Sequence, residues 1–144
     1  MKPEEVAETM DGPTIQWMKE MAKIHDTAIC GSLAIKEGNN FYNRFVFVHP
    51  DQRVDTYDKA HPYTPLGESN FYSAGKESVL IEYVGFRICP LVCYDLRFPV
   101  FVRNTDYYDI LLCVANWPAA RIQAWNALLL ARAIENMAYC IGVN

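Results

Sequence analysis

The sequence lacks an apolar run long enough to cross a membrane. Its longest runs, such as residues 109–115, are far shorter than the ~20 residues that a membrane helix needs. Residues 1–10 carry Glu and Lys where a secretory signal peptide has an apolar core. We therefore expect a cytoplasmic protein with no membrane partner.

A basic stripe is also missing. The net charge is -4, and the 13 Lys and Arg residues are scattered along the chain, so nothing in the sequence favours a nucleic-acid partner. The chain has 144 residues, of which 51% are hydrophobic and 21% charged, and it contains no internal repeat and no Gly/Ser linker. These properties predict a single folded domain over residues 1–144 rather than a disordered chain.

The spacing of the cysteines fits neither a disulfide nor a zinc site. Cys89 and Cys93 would lie ~13 Å apart on a strand, whereas a disulfide tolerates about 7 Å between Cα atoms. No Cys and His cluster has finger or ribbon spacing. The sequence therefore predicts reduced thiols, no metal and no other cofactor. The five cysteines are Cys30, Cys89, Cys93, Cys113 and Cys140.

Hydrophobic periodicity predicts a helix followed by three strands in the first half of the chain. Asp11, Gly12 and Pro13 begin a helix that extends to about Asp26, and its apolar face carries Ile15, Met18 and Ala22 flanked by Trp17, Met21 and Ile24. Turn residues separate the strands that follow, which predicts a meander. The predicted strands cover residues 27–35, 42–48 and 53–57.

The second half begins with an irregular segment and then alternates strands with a helix. Residues 58–77 have no periodicity, and segments of this length inside a domain are usually functional loops. Pro90 predicts a bulge or a partly unpaired strand. A helix over residues 119–136 should place Arg132 on its surface, and the whole pattern predicts an α/β fold. The predicted strands are 78–84 and 86–93, joined by a turn at Gly85, then 110–115 and 138–143.

Cys93 is the candidate nucleophile, because an apolar strand ends on its thiol and is followed by charged residues and a proline. The alternative is a core cysteine, since free cysteine is among the most buried residue types. The segment 58–77 offers Lys59, His61 and Glu68 as partners for a thiolate. One possibility is a Cys93–His61 pair of the papain type. The other is that Lys59 and Glu68 are ordinary surface charges and His61 is a turn residue.

Four motifs together resemble the nitrilase superfamily of carbon-nitrogen hydrolases. They are Tyr57-Asp-Lys-Ala-His61, Leu91-Val-Cys-Tyr-Asp-Leu-Arg-Phe-Pro99, Ala115-Asn-Trp-Pro118 and Ala131-Arg-Ala-Ile-Glu-Asn136. The sequence is similar to the branch of ω-amidases, which act on α-keto acid amides such as α-ketoglutaramate. The resemblance extends over essentially the whole chain, and the motifs follow the order and spacing of the family.

The resemblance implies an α-β-β-α sandwich and a Glu-Lys-Cys triad. Cys93 matches the nucleophile, which attacks the amide carbonyl of a small-molecule substrate and forms a thioester with loss of ammonia. Lys59 matches the triad lysine, and its ammonium together with the Tyr94 backbone N–H would stabilise the oxyanion. Glu68 matches the second glutamate, which holds the lysine.

Other roles are also implied by the family rather than by the residues alone. Trp117 and His61 match positions near the substrate pocket. From the residues themselves, we expect Asp95 and Arg97 to pair with each other or with Glu135 and so to support the turn after Cys93. The family often pairs through its helix layer, which implies a homodimer of the complete protein.

One departure from the family concerns the general base. The family's base is a glutamate that follows an N-terminal apolar strand, whereas Glu4 and Glu5 follow Met-Lys-Pro. The family's final strands are also unmatched, so we expect a fragment that is incomplete at both ends. Two hypotheses therefore stand at the level of the sequence. One is an amidase, and the other is an inactive fragment or pseudoenzyme that keeps part of the fold and oligomerises.

Overall fold

The computed structural model describes residues 2–144 and divides the chain into two compact units, one ending at Glu77 and the other spanning Ser78–Asn144. Each unit contains a sheet and a helix, which confirms the predicted α/β class. None of the helices formed by residues 2–144 has the length and apolar character needed to cross a bilayer.

Helix α1, Pro13–Ile24, begins as the sequence predicts, with its proline in the first turn and Gly12 as the N-terminal capping residue. Its buried residues are Ile15, Met18 and Ala22, in agreement with the predicted stripe. The predicted face was too wide, because Trp17 is 54% exposed and Ile24 is 61% exposed. The helix buries a narrow stripe of side chains at one and two turns' spacing, and the residues beside it face solvent.

Three antiparallel strands form the sheet of the first unit and confirm the predicted meander. They are β1, Ile29–Glu37, β2, Asn40–Val48, and β3, Val54–Asp58, in the spatial order β1-β2-β3. The ladder between β2 and β3 runs from the Val48–Val54 pair to the Arg44–Asp58 pair. Val46 and Val48 of β2 pack with the buried stripe of α1 to form the core of this unit.

The segment after β3 is irregular, as predicted, apart from two short 3-10 turns at Thr64–Leu66 and Glu68–Asn70. It returns to β3 at Gly75, whose backbone N–H donates to the Lys59 carbonyl at 2.9 Å. A β-carbon at Gly75 would lie 2.1 Å from the carbonyl oxygen of Asp58. Only glycine therefore fits where the segment closes on itself.

The second unit contains a four-stranded mixed sheet in the order β4-β5-β6-β7 and one long helix. The β4–β5 hairpin turns at Val84 and Gly85, which both have positive φ, as a tight two-residue turn requires. Strands β5, β6 and β7 are parallel. The elements are β4, Ile81–Tyr83, β5, Phe86–Val92, β6, Ile110–Val114, α2, Ile122–Asn136, and β7, Tyr139–Val143.

Pro90 lies in the part of β5 that β4 does not reach. Pairing with β4 ends at Ile88, while Pro90 pairs on its other side with Leu112 of β6. The missing proline N–H therefore falls where the strand is paired on one side, which is the partly unpaired strand predicted from the sequence. Strand β6 is buried from Leu111 to Val114, as its continuous apolar run predicts.

Helix α2 confirms the predicted second helix but corrects the placement of one residue on it. The sequence predicts Arg132 on the surface, whereas its side chain is buried and the residue is only 5% exposed. Trp125 of the same helix is buried, whereas Ile122 at its first position is 40% exposed. Arg132 can be buried because its guanidinium has two polar partners, the Leu96 carbonyl and the Glu135 carboxylate.

Candidate active site

Cys93 is the first residue after strand β5, whose ladder ends at the Val92–Val114 pair. It begins a 3-10 turn, Cys93–Arg97, with a φ of 49°, which is the left-handed region that non-glycine residues rarely adopt. The residue is half-buried. Strain of this kind persists only where neighbouring residues hold it, and it is frequent at functional sites.

One side chain in the turn ties it to the end of β5, and a second packs along the turn itself. The carboxylate of Asp95, which is fully buried, accepts the backbone N–H of Val92 at 3.1 Å. The Tyr94 ring packs edge-on against Phe98, with the ring centroids 5.2 Å apart. Asp95, which is predicted to support the turn, thus contacts Val92, the residue directly before the nucleophile.

Helix α2 contacts the same turn through Arg132. Its Nε donates to the carbonyl oxygen of Leu96 at 3.0 Å, and its Nη1 lies 2.7 Å from the Glu135 carboxylate. Glu135 thus reaches the turn through Arg132. The guanidinium of Arg97 lies instead over the ring of Trp117, 5.1 Å from its centroid.

Trp117, predicted to lie near the pocket, is buried beside Trp125, with the ring centroids 5.2 Å apart. Its indole N–H donates to the carbonyl of Arg121 at 2.9 Å, and its backbone N–H donates to the side chain of Asn144 at 2.6 Å. Hydrogen bonds at the backbone N–H and at the indole N–H therefore hold Trp117, whose ring lies against the Arg97 guanidinium.

The other cysteines lie in environments that disfavour the thiolate. Burial raises the pKa of Cys89 to about 12 and that of Cys140 to about 11. Burial also raises the pKa of Cys113, although a hydrogen bond from the Cys93 backbone partly offsets this effect, and it raises the pKa of Cys30. These four cysteines therefore remain protonated at neutral pH; Cys89 and Cys113 are buried in the core, and Cys30 and Cys140 are half-buried.

Lys59 and Glu68 form a partly buried ion pair in the first unit. The Lys59 ammonium lies 2.5 Å from Oε2 of Glu68, and Lys59 is only 4% exposed. The same oxygen accepts the backbone N–H of Tyr63 at 2.5 Å, while Oε1 accepts the side-chain amide of Asn43 at 3.0 Å. Glu68 also lines a surface groove that contains aromatic side chains. These are Tyr63, Phe71 and Tyr72.

The hydrogen bonds keep Glu68 ionised. Burial alone would raise the pKa of this carboxyl, but the hydrogen bonds from Lys59, Asn43 and Tyr63 outweigh burial and lower it. A buried ammonium needs a charged partner of this kind, because an unpaired charge is costly away from water. The pair predicted from the sequence therefore exists as a hydrogen-bonded unit.

Sequence reasoning missed Asn43, which contacts this pair, and Arg44, which holds the residue before Lys59. Arg44 is buried and makes a bidentate ion pair with Asp58, the residue before Lys59, at 2.7 and 2.9 Å, and it also contacts Glu37 at 2.9 Å. The signal was present in the sequence, because Asn43 and Arg44 interrupt a strand that is otherwise apolar or aromatic. Arg44 is buried and Asn43 is half-buried, and polar groups that are shielded from water in this way require partners.

The remaining predicted residues are placed as follows. His61 is half-buried, two residues after Lys59. Glu4 and Glu5 are exposed on a short 3-10 turn, Pro3–Glu5. Within residues 2–144 no group of three or more His, Cys, Asp or Glu side chains is placed to hold a metal ion. Cys93 belongs to the second unit and Lys59 and Glu68 to the first, and their assembly into one triad stays a prediction.

Comparison with known proteins finds one family over nearly the whole chain. Residues 2–144 match the family model described as carbon-nitrogen hydrolase. Omega-amidase YafV from Yersinia enterocolitica is 49% identical over 130 residues, which cover 90% of this chain and 51% of that protein. The 2-oxoglutaramate amidase of Bacillus subtilis is 36% identical over 139 residues, covering 93% of this chain and 54% of the relative.

Solved structures show the same similarity. A protein of the same superfamily from Xanthomonas campestris, which carries an arsenic adduct in its active site, superimposes with a TM-score of 0.92 at 43% identity. The match covers 94% of this chain and 54% of that structure. The chain thus spans about half the length of the relatives that it matches.

Proposed function

Because the chain belongs to the carbon-nitrogen hydrolase family, we propose that the protein hydrolyses a small-molecule carboxamide to the acid and ammonia. The substrate we propose is an α-keto acid ω-amide such as α-ketoglutaramate, and the similarity to an omega-amidase and to a 2-oxoglutaramate amidase supports this choice. The observation that carries the proposal is the left-handed, half-buried Cys93 at the end of β5, held by a buried turn. The proposed site of action is the cytoplasm, where cysteines stay reduced, and all five cysteines are free thiols.

The proposed reaction has two halves. The Cys93 thiolate attacks the carbonyl carbon, a carbon-sulfur bond forms, and the electron pair of the carbonyl moves to its oxygen. The intermediate collapses to a thioester as the carbonyl re-forms and the carbon-nitrogen bond breaks, and the nitrogen leaves as ammonia with the proton that the Cys93 thiol gave up. Water then attacks the thioester, the acid is released and the thiol is regenerated.

Lys59 and the backbone N–H of Tyr94 are the proposed donors to the oxyanion, because charge develops on that oxygen as the thiolate attacks. The contact between Glu68 and the buried Lys59 ammonium supports this role, since it supplies the charge partner that the ammonium needs. We assign His61 and Trp117 to the pocket, and Asp95, Arg97 and Glu135 to the support of the nucleophile turn.

A second candidate is that the 144-residue chain is inactive by itself. Glu4 and Glu5 are exposed on a short turn, and the Glu8 carboxylate accepts the Thr14 backbone N–H at 3.0 Å, so none of them stands at a strand end as the family's base does. Loss of a general base reduces catalysis by roughly 10²–10⁴. In this case the chain keeps the fold and associates with a second copy. The exposed Tyr139 and Val143 on strand β7, at the edge of its sheet, favour that association.

Ammonia release from α-ketoglutaramate by the purified chain separates the two candidates, with mass spectrometry of Cys93 as a second measurement. Steady release that is abolished in Cys93→Ala and retained in Cys140→Ala supports the amidase and rules out the inactive chain. Acylation of Cys93 without turnover supports the second candidate. If neither ammonia nor acylation appears with α-ketoglutaramate or other small carboxamides, the proposed chemistry is wrong.

A further inference from the structure

Asn43 lies on strand β2 directly opposite Lys59. The last ladder pair of β2 and β3 is Arg44–Asp58, and the Lys59 backbone N–H extends it by one step, donating to the Asn43 carbonyl at 2.9 Å. Side chains at opposed positions of two antiparallel strands lie on the same face of the sheet. The Asn43 amide and the Lys59 ammonium therefore lie side by side.

Glu68 bridges these two neighbours with its two carboxylate oxygens. Oε1 accepts the Asn43 amide at 3.0 Å, and Oε2 contacts the Lys59 ammonium at 2.5 Å. Asn43 thus contacts both members of the ion pair, one through its backbone and the other through its side chain. An amide N–H that donates to a carboxylate favours the ionised form of that carboxylate.

We propose that Asn43 is a positioning residue, which holds the Glu68 carboxylate in the orientation that fixes the Lys59 ammonium for the oxyanion. The inference rests on the role proposed above for Lys59. Asn43 acts on the reaction only through the pair.

A purely structural role for Asn43 predicts different behaviour from a positioning role. If Asn43 only completed the end of the ladder, its backbone carbonyl would suffice, and the identity of its side chain would matter only for stability. If it positions Glu68, the decisive property is the N–H donor. Asn43→Asp keeps the shape but replaces this donor with an acceptor, which puts two carboxylates about 3 Å apart. Two carboxylates at this distance share a proton, and the pair then takes up that proton at higher pH.

The test is an NMR titration of the Glu68 side-chain carboxyl in the 144-residue chain. In Asn43→Ala we expect the midpoint to rise by about one pH unit, and in Asn43→Asp by more. Asn40→Ala and Asn40→Asp are matched controls, because Asn40 is exposed on the same strand, and they should leave the Glu68 midpoint unchanged. An unchanged midpoint in folded Asn43→Asp overturns the proposal.

Turnover supplies the second measurement. Where the wild-type chain releases ammonia, Asn43→Ala should lower kcat by about tenfold with little change in KM, and the acid limb of its pH profile should move with the Glu68 midpoint. A shifted Glu68 midpoint with unaltered turnover overturns the positioning role. Absence of turnover in the wild type counts against the proposed function instead, while the titration still tests the contact between Asn43 and Glu68.

Discussion

Arg132 donates its Nε–H to the carbonyl oxygen of Leu96 at 3.0 Å, across 36 residues of sequence. The bond joins helix α2 to the turn that begins at Cys93. Because the arginine is buried and also pairs with Glu135, its guanidinium is held at two points.

Replacing Arg132 should loosen the nucleophile turn. Arg132→Met leaves the Leu96 carbonyl without this donor, and we expect a loss of about 2 kcal/mol in the free energy of unfolding. Arg132→Lys should recover part of this loss, since a single ammonium lacks the fork that reaches both partners. Glu135→Gln keeps the bond to Leu96 and should cost no more than about 1 kcal/mol. Urea denaturation measures all three variants, and an Arg132→Met protein as stable as wild type would contradict the assignment.

Cys93 should be the thiol that reacts first with iodoacetamide. The four other cysteines have pKa values raised by burial, so they form little thiolate near neutral pH. Peptide mass spectrometry after brief labelling at pH 7.5 should therefore find the label at Cys93. Labelling of the urea-unfolded chain is the control and should reach all five positions. Preferential labelling of Cys30 or Cys140 in the folded protein would show that this ranking is wrong.

The ion pair of Glu68 should make stability depend on pH in one direction. The folded protein lowers the pKa of Glu68 below its ordinary value of 4.5, so the stabilisation is complete above that pH and is lost as pH falls through the lowered pKa. Glu68→Gln leaves the Lys59 ammonium unpaired and should cost about 3 kcal/mol at pH 7. The difference in the free energy of unfolding between wild type and Glu68→Gln should therefore become smaller in acid.

Denaturant unfolding at a series of pH values measures this gap. Glu77→Gln is the control, because Glu77 is an exposed acid in the same irregular segment, and it should change stability little at any pH. A gap between wild type and Glu68→Gln that widens below pH 4 has the wrong sign for this ion pair.

Gly75 should resist substitution. A β-carbon there would lie 2.1 Å from the carbonyl oxygen of Asp58, so Gly75→Ala must displace the backbone beside Lys59. We expect a cost of about 2 kcal/mol, as for other overpacked sites. Gly31→Ala is the matched control, because a β-carbon at Gly31 meets no atom within 4 Å. Thermal unfolding compares the two, and equal melting temperatures would contradict the close approach at Gly75.

Much of the fold was predictable because it depends on local pattern. The periodic stripe of Ile15, Met18 and Ala22 defined α1, and the turn residues near Gly85 defined a hairpin. The α/β class followed from the order of these elements. The carbon-nitrogen hydrolase resemblance, read from four motifs, is confirmed by the family model over residues 2–144.

The sequence could not predict which polar side chains are buried. Arg132 has helical spacing suited to a surface, and its burial depends on partners that include the distant Leu96 carbonyl. For the half-buried Asn43, the sequence showed a polar residue in an apolar strand but not its partner, because Glu68 is 25 residues away. Partners of this kind come from tertiary packing rather than from periodicity. Lys59 could be identified as a candidate site residue because it belongs to a family motif. Such a motif carries information that hydrophobic periodicity lacks.

The left-handed conformation of Cys93 lowers the stability of the folded chain at the same position that carries the reactive thiol. A non-glycine residue with this backbone geometry costs the folded chain on the order of 1–3 kcal/mol. Glycine would relieve this strain, but it would remove the thiol, whereas Ala or Ser would keep the β-carbon and most of the strain. A laboratory selection for heat resistance alone should therefore accumulate glycine at position 93, and a selection that also demands chemistry at the thiol should retain cysteine.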